Sequence, residues 1–467
     1  MNNHDYDLMV VGSGPAGQRA AVQAAKLGKR VAIAESQAVV GGVCINTGTI
    51  PSKTLRAATM HFSGYHERSI YGASYKVKQE VTMADLLGRA DHVMQIGNDV
   101  ARHQLQRNDI EMIEAKAAFI DPHRLSLTPS NGGPTTEVSA DKVIIAVGTT
   151  TTRDANVTFD GKHIFTSDDI LDLDALPKSF TVVGAGVIGI EYATIFATLG
   201  VRVTVVDMRS RLLPFVDDEI IDTLVHHMRQ ERVTLRLGEE VSGIELVDGD
   251  QGRRVHIGLK SGKNIVTEAA LYSIGRTGAT ENLNLAAAGL AADDRGRIAV
   301  NPSYQTEVEH IYAVGDIIGF PSLASTSMEQ GRLASCHAFG VEARSFPDLL
   351  PYGIYTIPEI SVVGRSEQEL TEAGMPYEVG RAAYKEIARG QIVGDQAGLL
   401  KLLFDPETRK LLGVHIIGDG ACELIHIGQA IMSLGGTIDY LIDTVFNYPT
   451  FAECYKTAAF DGINRLG

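Results

Sequence analysis

Residues 6–35 read YDLMVVGSGPAGQRAAVQAAKLGKRVAIAE. Tyr6–Val11 is a short apolar strand that runs into a turn containing Gly12, Gly14 and Gly17. A run rich in helix formers follows, then a second apolar strand ending at Glu35. Strand, G-x-G-x-x-G turn, helix and strand make one β-α-β unit, with its acid 18 residues beyond the third glycine. In such a unit the first glycine permits the tight turn and the second lets the backbone approach a pyrophosphate. The third lets helix and strand pack closely, and the acid binds ribose hydroxyls. The pyrophosphate sits on the positive end of the helix.

The pattern recurs at 180–207, FTVVGAGVIGIEYATIFATLGVRVTVVD, with Gly184, Gly186 and Gly189 in the turn and Asp207 again 18 residues past the last glycine. One glycine triplet is weak evidence, because glycine turns are common. Two copies in the same strand–helix context, each with its acid at the same distance, point to two dinucleotide sites.

Composition agrees and narrows the field. The chain has 467 residues, 44% hydrophobic and 21% charged, enough for about three domains and several buried cores. Its net charge of −15 argues against nucleic acid and anionic membrane as partners. Glycine is abundant, at 48 residues against a usual ~7%. The four cysteines, Cys44, Cys336, Cys422 and Cys454, form no framework of short spacings, and the start lacks the basic and apolar regions of a signal peptide. A reducing, cytoplasmic location is therefore expected. Residues 181–206 imitate a membrane span, but Glu191 and Arg202 and the early glycines make them strand, turn, helix and strand instead.

The remainder falls into blocks. A helical section covers roughly 51–107, strands lead to 142–150, and 231–272 is β-rich. Residues 306–316, TEVEHIYAVGD, read as a further buried strand ending at an acid, and from about 346 strands and helices alternate. The expected class is α/β, with two Rossmann-like dinucleotide-binding domains and a C-terminal α+β domain.

Several stretches together resemble the two-dinucleotide flavoprotein family of glutathione reductase, lipoamide dehydrogenase and mercuric reductase, in order and over essentially the whole chain. They are GSGPAG (12–17), GGVCINTGTIPSK (41–53), IIAVGT (144–149), GAGVIGIEYA (184–193), GRTG (275–278), TEVEHIYAVGD (306–316) and NYPTFAE (447–453). The resemblance implies an FAD domain over 1–150 and 273–345, interrupted by an NAD(P) domain over 151–272, and a C-terminal interface domain over 346–467 that makes a homodimer or larger homo-oligomer. It implies that Glu35 binds the adenosine ribose of a non-covalent FAD. Asp316 would bond the ribityl chain, with Leu323 and Ala324 passing under the flavin. Lys53 would lie beside flavin N5, paired with Glu191 at the nicotinamide side, and these two are the expected catalytic residues. A cation there stabilises charge on the reduced ring. Gly42, Cys44, Thr49, Ala117, Gly148 and Arg276 are further expected cofactor contacts.

Two departures carry the functional reading. Disulfide reductases of this family have two cysteines spaced C-x4-C in the redox loop, whereas here Cys44 is followed by Thr49 at the second position. Without the second sulfur no dithiol passes electrons to a disulfide. The family's C-terminal His-Pro-Thr becomes Tyr448-Pro449-Thr450, and a phenol with an ordinary pKa near 10 is a poor proton shuttle. What remains is hydride transfer. Within the family, GTIPSK with YPT resembles the soluble, energy-independent NAD(P)+ transhydrogenases, which implies NADPH + NAD+ ⇌ NADP+ + NADH through one nicotinamide site, with NAD and NADP as substrates. Asp207 suits an NAD ribose, and Arg209, a guanidinium fork two residues on, suits a 2′-phosphate or is a solvated loop residue. The alternatives are an NAD(P)H-dependent flavin reductase of a quinone or oxygen, a lipoamide dehydrogenase-like protein without disulfide activity, and a non-catalytic nucleotide binder. His415 and His426 have no companion ligands in sequence, and no metal site is expected.

Overall fold

The computed structural model describes residues 4–72, 74–249, 252–344 and 349–466. Its first sheet has Tyr6–Val11 at the centre, parallel to Val31–Glu35 on one side and to Thr136–Ile145 on the other. Ile311–Ala313 extends this sheet in parallel beyond Thr136–Ile145. The apolar runs that make these strands have both faces covered, so Leu8, Met9, Val10, Ile144 and Ile145 are fully buried. The helix Pro15–Lys26 turns a row of small residues inward, Ala16, Gly17, Ala20, Ala21 and Ala24. This row lets a second helix, Ala324–Ala338, approach closely. A methyl on Gly331 would run into the Ala16 carbonyl, and Ser335 Oγ donates to the Ala20 carbonyl at 2.7 Å.

The second sheet is wholly parallel and orders Thr234–Leu237, Arg202–Asp207, Ser179–Val183, Ala269–Tyr272 and Ile164–Thr166. Its helix Val187–Thr198 is buried from Gly189 to Thr198, which is why the segment resembles a membrane span in composition. Among the described residues no helix is long and apolar enough to cross a membrane. The chain leaves the first sheet and returns to it side by side, through an antiparallel pair of Thr149–Thr151 with Arg276–Gly278. The expected strand at 306–316 is shorter than its apolar pattern implies. Only Ile311–Ala313 pairs, and Asp316 lies in a 3-10 turn, Gly315–Ile318. Gln330 Oε1 accepts from Gly315 N at 2.8 Å and holds this turn against the helix Ala324–Ala338.

The C-terminal part is a five-stranded antiparallel sheet, from Tyr352–Ile354 to Leu411–Ile417, backed by the helices Ala421–Ser433 and Glu453–Ile463. The expected boundary at 345/346 lies outside the described residues. One polar cluster ties this sheet to the second unit. Lys401, 1% exposed, donates to both Asp217 oxygens at 2.9 and 3.1 Å and to Glu367 at 2.5 Å, with Glu219 at 3.1 Å. Burial alone would push Lys401 down and Asp217 up. The facing charges outweigh it, so Lys401 is raised and Asp217 lowered and the cluster stays ionised.

Candidate functional site

The two glycine turns are built alike. Gly12 adopts φ +103° and Gly184 φ +101°, and a methyl on either would lie 2.5 Å from a carbonyl oxygen, that of Ala146 or of Ser273. A methyl on Gly17 would strike Gly12 O, and one on Gly189 would strike Gly184 O. Gly14 and Gly186 differ from these, since nothing lies within 4 Å of a methyl added there. The first and third glycines are thus required by the fold, and the middle one leaves open space at a helix N-terminus, where backbone amides favour an anion.

The acids close each unit onto its turn. Glu35 Oε2 accepts from Ser13 N at 3.0 Å and Ser13 Oγ at 2.6 Å, while Oε1 accepts from Gln37 N at 2.9 Å. Asp207 Oδ2 accepts from Ala185 N at 2.6 Å. Arg209 then forks onto the same carboxylate, with Nε 2.9 Å from Oδ1 and Nη2 2.7 Å from Oδ2. Burial pushes Asp207 up, but the Arg209 fork and the Arg209 and Ala185 amides prevail and hold it below the usual carboxylate range. Arg209 is thus an ion-pair partner of Asp207 on an exposed loop, its side chain 44% exposed.

A cavity of about 770 Å³ opens from the first turn. Gly12, Gly14, Glu35, Gly42, Cys44, Thr49, Ala117, Gly148, Asp316 and Ala324 line it, together with Ser13 and Asp168, which the sequence had not singled out. The volume falls in the range of pockets that hold cofactors, and the glycine turn and helix N-terminus at its edge match two phosphates. Of the expected contacts on the flavin side, Gly17, Lys53, Arg276 and Leu323 are not among the cavity's lining residues. Gly17 packs helix on strand, and Leu323 is the N-cap residue of the helix Ala324–Ala338. Arg276 ties two wall residues together, donating to Thr149 Oγ1 at 2.8 Å and Asp168 Oδ1 at 2.7 Å. Asp316 is raised chiefly by burial, against the opposing pull of Arg276 and Ser327.

Lys53 lies one turn beyond Thr49 on the helix Thr49–Ser63, on the same face. Its Nζ donates to Glu191 Oε2 at 2.7 Å, a contact between residues 138 apart that joins the first unit to the helix Val187–Thr198. Sequence motifs indicated this pair, but not the strand end that braces it. Tyr355 N donates to Glu191 Oε1 at 2.8 Å, Arg56 Nε donates to Thr356 O at 2.9 Å, and Arg56 pairs with Glu359 at 3.2 Å. Arg56 lies one turn from Lys53, a spacing that hinted at a shared face; the 300-residue separation from its partner gave no signal.

Cys44 is the one sulfur among the described residues lining the cavity, and all four cysteines are free thiols. Burial pushes the Cys44 thiol up, a hydrogen bond with Thr49 opposing it, so it stays protonated at neutral pH. Tyr448 is 74% exposed on the C-terminal surface. His415 is buried and bonds the Arg365 carbonyl, and His426 bonds Gln429. Among the described residues no group of three or more His, Cys, Asp or Glu is placed to hold a metal.

Residues 6–331 match the pyridine nucleotide-disulphide oxidoreductase model, and 350–459 match that family's dimerisation domain. The soluble pyridine nucleotide transhydrogenase of Mycobacterium bovis (strain BCG / Pasteur 1173P2) is 53% identical over 462 residues, covering 99% of this chain and 98% of its own. That of Colwellia psychrerythraea is 46% identical over 468 residues, covering 99% of each. Among solved structures, the HOCl-induced flavoprotein disulfide reductase RclA from Escherichia coli superposes with a TM-score of 0.87 at 28% identity, over 97% of this chain and 99% of that one. LpdA from Mycobacterium tuberculosis gives 0.89 at 26% identity, over 98% and 99%. With both its nucleotide units and its C-terminal sheet matched, the chain belongs to the pyridine nucleotide-disulphide oxidoreductase family.

Proposed function

We propose that this protein transfers hydride between NADPH and NAD+, holding FAD non-covalently in the 770 Å³ cavity and taking the two nicotinamide dinucleotides in turn on the second glycine turn. The observation that carries this reading is a pair of complete nucleotide turns and a Lys53–Glu191 pair, with Cys44 the one thiol among the described residues lining the cavity. The relatives named soluble pyridine nucleotide transhydrogenase, at 46–53% identity over nearly the full chain, support it.

Bound FAD supplies a two-electron centre that accepts hydride from one nicotinamide and returns it to another. The chain's own groups bind and orient. The turn amides at Gly14 and Gly186 receive the pyrophosphates, and Glu35 and Asp207 receive ribose hydroxyls. Asp316 bonds the ribityl chain. Lys53, fixed by Glu191, presents a positive charge where negative charge develops in hydride transfer. Asp207 carries its own countercharge in Arg209, so a 2′-hydroxyl finds an acceptor and a 2′-phosphate finds a guanidinium in one place. The FAD domain is assigned to 1–150 and 273–345, the NAD(P) domain to 151–272 and the interface domain to 346–467. Exposed apolar residues in that last part, Leu434 at 86%, Val445 at 90% and Tyr448 at 74%, support a homodimer face. A cytoplasmic location suits the four free thiols.

The test separates the two halves of the cycle. Under anaerobic conditions NADPH should bleach the visible absorbance of the flavin-loaded protein, and NAD+ added next should restore it. Bleaching that only a quinone or oxygen reverses would assign the protein to a flavin reductase of another acceptor.

A further inference from the structure

The Lys53–Glu191 pair lies where three parts of the chain meet, and the third part is the strand end at Tyr355. Both Glu191 oxygens are engaged. One oxygen accepts from Lys53 and the other from the Tyr355 backbone amide at 2.8 Å. The Lys53 ammonium is then held from a second direction, 4.9 Å from the centroid of the Tyr355 ring, inside the distance at which a cation is attracted to an aromatic face. Its Nζ donates to Glu191 at 2.7 Å and to Ser52 Oγ at 3.3 Å, which leaves one N–H of the ammonium uncommitted to either.

Tyr355 is itself clamped by both helices that carry the pair. From the Lys53 helix, Arg56 reaches the Thr356 carbonyl and Glu359. From the Glu191 helix, Thr194 Oγ1 accepts from Ile357 N at 3.1 Å. Arg56 lies one turn after Lys53, and Thr194 one turn after Glu191, so each catalytic side chain has a structural partner on its own face gripping the same short segment. On its outer side the Tyr355 phenol bonds Cys422, and Glu359 accepts from Cys422 N at 3.2 Å.

We propose that Tyr355 is a positioning residue: its ring face, acting on Lys53, sets the direction of the ammonium toward the flavin, so that the C-terminal sheet tunes hydride transfer in the site of its own chain. This rests on the reading of Lys53 as the flavin's neighbour. The general chemistry is that a flexible ammonium gains orientation from an aromatic face without losing a hydrogen-bond donor to it.

The test replaces Tyr355 with phenylalanine and with phenylalanines carrying increasing numbers of ring fluorines, which drain the negative face at nearly constant volume. Each FAD-loaded full chain is read for the flavin midpoint potential and for the rate and KM of reduction by NADPH. Tyr355→Phe should match the parent. Across the fluorinated series the rate should fall by about 3- to 30-fold in total, with KM steady and the potential moving progressively negative. A flat series overturns the proposal, as does one in which only KM changes. Lys53→Met separates the two levels. If it shifts the potential while the fluorine series is flat, Tyr355 alone is misassigned. If its potential equals the parent's, the placement of Lys53 fails and the proposal with it.

Discussion

Replacing Arg209 by alanine tests how one site can accept two nucleotides that differ by a phosphate. Asp207 is 5% exposed in its side chain and Arg209 is 44% exposed, so the fork is half wet and its strength belongs at the lower end for charged hydrogen bonds. Losing the guanidinium removes one charge-assisted contact to a 2′-phosphate, about 1.5 kcal/mol. It also uncovers Asp207, whose charge opposes the phosphate by about 1 kcal/mol at 4 Å with water-like screening. Together these give about 2.5 kcal/mol, a 50- to 100-fold loss in kcat/KM for NADPH at about 1.4 kcal/mol per decade. NADH should change by about threefold or less, since a freed Asp207 still accepts from the ribose hydroxyl. The pH dependence has a definite sign. The Arg209 side chain helps hold Asp207 low against burial, so in Arg209→Ala only the two backbone amides oppose burial and the pKa rises. The NADPH defect should therefore shrink as pH falls through the new, higher value. Steady-state kinetics with both nucleotides from mildly acid to neutral pH reads all of this. Equal losses for NADPH and NADH, or a defect that grows in acid, would refute the reasoning.

Three further outcomes follow from the same geometry. Gly14→Ala should fold with a nearly unchanged Tm but lose bound flavin on dialysis, because its methyl enters open space at the phosphate end of the cavity, while Gly12→Ala should lower Tm through its clash with the Ala146 carbonyl; the reverse order contradicts the division of roles. Lys401→Met leaves Asp217 buried without its cation and should cost about 3–5 kcal/mol in denaturant unfolding at neutral pH. Because the folded pKa of Asp217 lies below its unfolded value, that stabilisation is complete above about pH 4 and vanishes as pH falls through the folded value, so the gap between parent and variant should close in acid. Partial reduction at neutral pH should produce no long-wavelength thiolate–flavin band, since burial keeps Cys44 protonated; a band present below pH 8 contradicts this.

The parts of the account that were legible in sequence are those encoded by short spacings. Both glycine turns, their acids and the Thr49 substitution each lie within one local segment, where backbone sterics leave few alternatives. Length was less legible than type. The apolar run at 306–316 reads as one strand, but Gly315 at φ +80° turns the chain after Ala313, and Asp316 reaches the cavity from a 3-10 turn. Least legible were contacts that only the tertiary fold creates. Lys401 looks like a misplaced charge in LLKLLF until Asp217 and Glu367 arrive from two other segments. Tyr355 carries no motif of its own, and its role emerges only when the Lys53 and Glu191 helices close around it. Arg276 shows a third kind of limit: its motif marks it as a neighbour of the cofactor, but its guanidinium is committed to Thr149 and Asp168.

The central claim is that hydride passes between two nicotinamide nucleotides with no thiol relay. It is tested most directly by supplying the purified, flavin-loaded protein with NADPH and an NAD+ analogue whose reduced form absorbs at its own wavelength, with no disulfide and no quinone present. Sustained appearance of the reduced analogue, in step with loss of NADPH, is the predicted result. A fully flavin-loaded preparation that oxidises no NADPH until a disulfide or quinone is added would contradict it.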